Sequence, residues 1–342
     1  MQKPDWRELP CDVLSRIICC LASTERPTTR LVAKAWRDAF DADVLAVSPA
    51  RLEAACMERW PALKVLNLGR VDTGQDADQL AEALPLILQH RTFDLLVLPS
   101  RLARFWSFTL TDGVLDQLLK SEAPGSFSVQ HLVVGGECIY TNTLMSCIEG
   151  VTTLCVQDAH LSMFHYTIKD RCWPPNTALK CLVLQGCQDI KQETWAAIAH
   201  LRLKELHLLH LNGVGPKAIF SELASLTNLE HLVYCQHSDY AADTVEYSDY
   251  ELLSQLHLTH VTLRGMPQLQ EDGLAALSTL TDLHALDVSG SNITSRAFED
   301  FSDLVSLRHL NIANTHITIP SSLAKILAQH SQLTHLDISQ CR

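Results

Sequence analysis

Five histidines, His131, His231, His260, His309 and His335, fall at one position of a recurring sequence frame. His207, Asp287, Asn311 and Asp337 fall two positions further along that frame. Imidazole and carboxylate are metal ligands and general acid-base groups, so a face that carries both in rows could hold a divalent ion or move protons. A simpler source for the rows is the repeat itself. Neighbouring strands about 4.8 Å apart stack equivalent side chains whether or not chemistry is intended. Nowhere does the chain add a nucleophile elbow, a phosphate loop, an HExxH pair or paired CxxC motifs. The reading is therefore no catalytic residue, no metal site and no cofactor, with a polar rim suited to hydrogen bonding with a protein. His207, His231, His260, Arg264, Asp287, His309, Asn311, His335 and Asp337 are its candidate contacts, and Arg264 is expected to pair with an acidic group of the bound protein.

The frame that positions these residues is apolar at relative positions 1, 4 and 6. It recurs eleven times between Leu63 and Cys341, as in LKVLNL from Leu63, LKCLVL from Leu179 and LRHLNI from Leu307, with starts 22 to 36 residues apart. Positions 4 and 6 share one face of an extended strand, and positions 3, 5 and 7 share the other. A strand this short cannot bury its apolar face alone, so stacked neighbours must share one core. The period brackets that of leucine-rich repeats. The expected fold is an α/β leucine-rich-repeat solenoid: a horseshoe arc with a parallel inner sheet and outer helices. The clearest helical stretches are Glu193 to Leu201 and Asp272 to Leu280. Cys187, Ser291, Thr315 and Cys341 stand at position 9, where the chain leaves the strand and buried backbone groups need small hydrogen-bonding partners.

Bulk properties narrow the function. With 342 residues and 47% apolar content the chain can bury a large core, and no run approaches the roughly 20 apolar residues of a membrane span. The opening MQKPDWRELP lacks an apolar signal core, so a cytoplasmic or nuclear location is expected, with the twelve cysteines reduced. The net charge is -12. Residues 1–43 balance seven basic against seven acidic side chains, so the excess, 20 against 32, lies in the repeats. That surface disfavours nucleic acid, which rewards clustered basic residues.

Ahead of the repeats, residues 1–43 form a small helical module. Pro10 suits the first turn of a helix that carries Val13, Leu14, Ile17, Ile18 and Leu21 at helical spacing. Leu31, Val32, Ala35, Trp36 and Phe40 make a second apolar stripe. About forty residues cannot bury that much apolar surface alone, so the module needs a partner or the flank of the solenoid. The string LPxxVLxxIIxxL followed by RLVxKxWRxxF resembles the F-box. It departs from the family at Ala33, where Cys is frequent, and in the middle helix. An F-box ahead of leucine-rich repeats is similar to the F-box/leucine-rich-repeat proteins, and the two parts together span most of the chain. The resemblance implies a small all-α module that docks onto a Skp-type adaptor and cullin, with a protein substrate held by the repeats. It also implies a substrate receptor of a cullin-RING ubiquitin ligase that is itself non-catalytic, raising the effective concentration of substrate near the conjugating enzyme. Leu9, Pro10, Val13, Leu14, Ile17, Leu21, Leu31, Val32 and Trp36 fall on the motif's apolar positions and are the adaptor contacts it implies.

The expected organisation is an F-box-like module at 1–43, a connecting helix or N-terminal cap at 44–62, and about eleven repeats at 63–342. Three segments interrupt the period. Arg101 to Phe108 is aromatic and expected to pack on an outer helix. Met163 to Tyr166 are followed by Trp173 to Pro175, which is expected to be a rigid loop that breaks the outer helix. Ser238 to Glu251 holds five acids and three tyrosines and is expected to be a solvated loop, suited also to a basic partner or to phosphorylation. The last frame, from Leu333, is expected to leave core exposed unless a partner or further chain covers it. The alternative to a ligase receptor is an intracellular leucine-rich-repeat scaffold whose N-terminal helices only cap the array.

Overall fold

The computed structural model describes residues 46–47, 63–68, 92–97, 128–135, 151–158, 178–188, 190–213, 215–236, 246–296, 303–318 and 328–341. The expectations for residues 1–43, 101–108, 163–166 and 173–175 lie outside these. The chain divides into two compact units, Met1–Val133 and Val134–Arg342.

The first unit carries β1 (Ala46–Val47), β2 (Val65–Asn67), β3 (Thr92–Val97) and most of β4 (Ser128–Gly135), all parallel. Leu63, Leu66, Leu68, Phe93, Leu96, Val129 and Leu132 are buried, as the frame requires. β1 lies inside the 44–62 stretch expected to be a connecting helix or N-terminal cap. Ala46 and Val47 pair in register with Val65 and Leu66.

The second unit continues with β5 (Thr153–Gln157), β6 (Cys181–Gln185), β7 (Glu205–Leu209), β8 (His231–Cys235), β9 (His260–Arg264), β10 (Ala285–Asp287), β11 (His309–Asn311) and β12 (His335–Asp337). Each pairs in parallel with the next, and equivalent frame positions face each other across every pair. Each of the eleven frames thus becomes one strand, and the fold is a leucine-rich-repeat solenoid. Positions 1, 4 and 6 form the core: Leu203, just before β7, and Leu206 and Leu208 on it, for example, are 1%, 0% and 0% exposed. Leu333, Leu336 and Ile338 are only half-buried, since β12 has a neighbour on one side alone among the described residues.

Among the described residues, four helices close coils on the opposite side of the second unit's sheet. They are α1 (Gln192–Ala199), α2 (Pro216–Leu223), α3 (Tyr247–Ser254) and α4 (Glu271–Leu277). α1 and α4 match the expected helical runs to within a few residues. In α2, Pro216 at the first turn precedes a buried stripe of Ile219, Phe220 and Leu223. Phe220 packs against Tyr234 and Tyr250 with ring centroids 5.9 and 5.4 Å away. The part of Ser238 to Glu251 expected as loop is helix from Tyr247. Glu246 and Asp249 form a capping box, with the Glu246 N–H donating to Asp249 Oδ2 at 2.8 Å, so its acids start the helix while Tyr250 and Leu253 enter the core.

The strands end in a recurrent device. Asp158, Gly186, His210, Gly265, Gly290, Asn314 and Gln340, all at position 8, have positive φ, which reverses the chain out of the strand. At Gly290 an added Cβ would lie 3.4 Å from the Gly265 Cα, so stacked position-8 backbones approach closely. Position 9 then satisfies backbone carbonyls. Cys187 Sγ lies 3.5 Å from the Val156 carbonyl, and Thr315 Oγ1 and Cys341 Sγ donate to the Ile312 carbonyl at 2.7 and 3.0 Å. Ser291 is buried with its hydroxyl unpaired and departs from the expected pattern.

Candidate functional site

Positions 3, 5 and 7 of β6 to β12 form the open face of the second unit's sheet, because side chains alternate along a strand and positions 4 and 6 take the core. The rows expected there are present. His231 pairs in register with His260, and His309 with His335. The His231 and His260 rings lie 4.1 Å apart, tilted by 49°, and the His309 and His335 rings stack at 4.3 Å and 14°. Ala285 interrupts the row between them, and His284, one residue earlier, stacks over His260 at 6.3 Å. Thr259 and Thr334 place their hydroxyls 2.9 and 3.0 Å from Nδ1 of His260 and His335, which fixes both rings. Burial holds the His260 imidazole below the ordinary histidine value, with His231, His284 and His309 adding repulsion to any proton it takes.

The second cluster centres on Asp287. Its Oδ2 accepts from Arg264 Nε at 2.8 Å and Nη2 at 2.6 Å, and from Asn311 Nδ2 at 3.0 Å. Its Oδ1 accepts from the Ser289 N–H at 3.1 Å and hydroxyl at 2.7 Å. Arg264, expected to meet an acidic group of a bound protein, is therefore engaged within the chain, and Asp287 raises its guanidinium further above its usual value. Asn311 and Asp337 repeat the turn contact, accepting from the N–H of Ala313 at 3.0 Å and of Ser339 at 2.9 Å. The position-5 acids and amide thus hold the strand exit before they hold any partner.

A shallow cavity of about 700 Å³ opens over this face, lined among others by His260, Thr262, Asp287, His309, Asn311 and His335. It brings together six of the nine expected contacts: His260, Asp287, His309, Asn311, His335 and Asp337. His207, His231 and Arg264 lie on the same face outside its lining. His207 sits beside Cys181 and Glu205, with donor atoms of the three within 4.8 Å of one another. Sequence reasoning missed that cluster, although both Cys181 and Glu205 occupy position 3 and the register follows from the frame. Burial pushes the Cys181 thiol up to about 12, with Glu205 adding to the effect, and burial lowers His207. His131 lies exposed on β4.

No protein-family model matches the chain, and no curated protein matches it. Solved structures do. The crystal structure of a TLR13–ssRNA13 complex aligns over 83% of this chain at 18% identity with a TM-score of 0.51, and this chain covers 37% of that one. The structure of an internalin from Listeria monocytogenes aligns over 96% of this chain and 94% of its own at 12% identity, with a TM-score of 0.47. The first likeness agrees with the fold built above from the strand register. The chain has the leucine-rich-repeat fold. Among the described residues no helix is long and apolar enough to cross a membrane.

Proposed function

We propose that this chain is the substrate-recognition subunit of a Skp-cullin-F-box ubiquitin ligase. Leu9, Pro10, Val13, Leu14, Ile17, Leu21, Leu31, Val32 and Trp36 grip the adaptor, and the open face of the repeats holds a protein substrate. The observation that carries the reading is the Leu9 to Arg37 string standing directly ahead of a leucine-rich-repeat array. The cavity beside His260, His309 and His335 supports the second half, offering ring faces and hydrogen-bonding groups over a packed floor. The receptor makes and breaks no bond. It works in the cytoplasm or nucleus by holding its substrate at high effective concentration near the conjugating enzyme.

A scaffold that binds proteins without a ligase is the second reading, and the repeat face serves it equally well. Quantitative proteomics after deletion of the gene separates the two. The ligase reading expects a small set of proteins to accumulate, and to fall again on re-expression of the wild type but not of a Leu9→Asp, Trp36→Ala variant. Restoration by that variant supports the scaffold, and the absence of any accumulating protein overturns the ligase.

A further inference from the structure

Between β6 and β7 the open face gathers a thiol, a carboxylate and an imidazole. Cys181 and Glu205 are register partners, and His207 follows Glu205 by two residues, so the three side chains leave the same face of the sheet. Their donor atoms lie within 4.8 Å of one another, and no other cluster of this kind occurs among the described residues. We propose that Cys181, Glu205 and His207 bind one Zn2+ ion, with the remaining coordination position open to water or to a donor from a bound molecule. This revises the expectation that the face holds no metal, and it stands whether or not the chain is a ligase receptor.

The donor set selects the ion. Sulfur and imidazole nitrogen suit borderline and soft metals, whereas calcium and magnesium need shells of oxygen that a single carboxylate cannot supply. Three protein ligands with one open position is the arrangement of exposed zinc sites, in contrast to the four-ligand closed sites that only stabilise a fold. A tetrahedral ion with legs of about 2.0 to 2.3 Å sets its donors roughly 3.3 to 3.8 Å apart, so the cluster must tighten by about 1 Å. Glu205 allows this, because its long side chain is 42% exposed and turns without disturbing the core. His231 Nδ1 stands 3.5 Å from Glu205 Oε1, close enough to steady the carboxylate from behind. Zinc entry displaces the Cys181 thiol proton, so binding strengthens as pH rises.

The test uses the purified full chain, stripped with chelator and titrated with Co2+ and then Zn2+. One equivalent of Co2+ is expected to give visible ligand-field bands and a near-ultraviolet thiolate charge-transfer band, both bleached by one equivalent of Zn2+. Cys181→Ser should abolish the charge-transfer band, and His207→Ala should weaken binding at least tenfold. Cys235→Ser, a thiol elsewhere on the same face, should change neither. His231→Ala should weaken binding by about tenfold if it steadies Glu205. If Cys181→Ser misfolds by circular dichroism, the exposed-face substitution His207→Ala decides alone. The proposal is overturned if the wild type takes up no Co2+ or Zn2+ at micromolar concentration. It is equally overturned if Cys181→Ser retains the thiolate band, or if His207→Ala binds as tightly as the wild type.

Discussion

Replacing Asp287 with alanine should be among the most damaging changes available on the open face. Its carboxylate is 13% exposed and accepts five hydrogen bonds, two from Arg264, one from Asn311 and two from Ser289. The Arg264 side chain is 55% exposed, so water replaces Asp287 there and the pair contributes about 0.5 to 1 kcal/mol. The Ser289 N–H and Asn311 amide are partly buried, and losing their acceptor costs about 1 kcal/mol each. The expected loss is therefore about 2 to 3 kcal/mol, most of it from the Ser289 and Asn311 contacts and not from the ion pair. Urea unfolding of the wild type, Asp287→Ala, Arg264→Ala and the double variant measures both parts. The coupling energy of the cycle should stay below about 1 kcal/mol. A loss under about 0.5 kcal/mol for Asp287→Ala, or a coupling as large as the whole loss, would refute the assignment of this residue to the strand exit.

Further outcomes follow from the same geometry. His207, His260 and His330 are lowered chiefly by burial, so below about pH 6.5 the unfolded chain binds more protons than the folded one. Stability should hold above that pH and fall as the pH drops to 5.5. Equal urea midpoints at pH 7.5 and 5.5 would contradict this, and His260→Gln should reduce the difference. Gly290→Val should cost about 2 kcal/mol, because φ is +73° and the new Cβ meets the Gly265 backbone. Gly265→Asn should be nearly neutral, since nothing lies within 4 Å of its Cβ direction and Asn314 already takes this conformation. Thermal midpoints of the two variants check the ranking. Gly273→Ala, in α4, would ordinarily stabilise a helix by about 1 kcal/mol. Here the Cβ would come within 2.8 Å of Leu269 and the Tyr250 ring, so destabilisation by about 1 to 3 kcal/mol is expected on urea unfolding.

The core of the solenoid was legible because burial writes directly into spacing. Leu179, Leu182 and Leu184, and their counterparts in each frame, must be apolar for a short strand to share a core. Position 9 was legible at Cys187 and Thr315 for the related reason that leaving a strand strands backbone carbonyls. The left-handed backbone of position 8 was not legible, although Gly186, Gly265, Gly290 and Asn314 are residue types suited to it, because scattered Asp158, His210 and Gln340 blur the signal. α3 was hidden because Tyr247-Ser248-Asp249-Tyr250-Glu251 is polar in composition, and composition conceals a capping box and a single buried tyrosine. On the open face, the frame placed the residues, but their contacts within the chain were not legible. Asp287, Asn311 and Asp337 serve turns through contacts to a residue two positions on, and Arg264 serves Asp287 across a strand pair, both set by backbone geometry and register.

Co-purification of Skp-type adaptor and cullin with the full chain is the most direct test of the receptor reading. Wild-type chain should recover both in near-equal amount, and Leu9→Asp with Trp36→Ala should recover less than a tenth as much while unfolding in urea at an unchanged midpoint. Equal recovery by the two chains, or none by either, would contradict it.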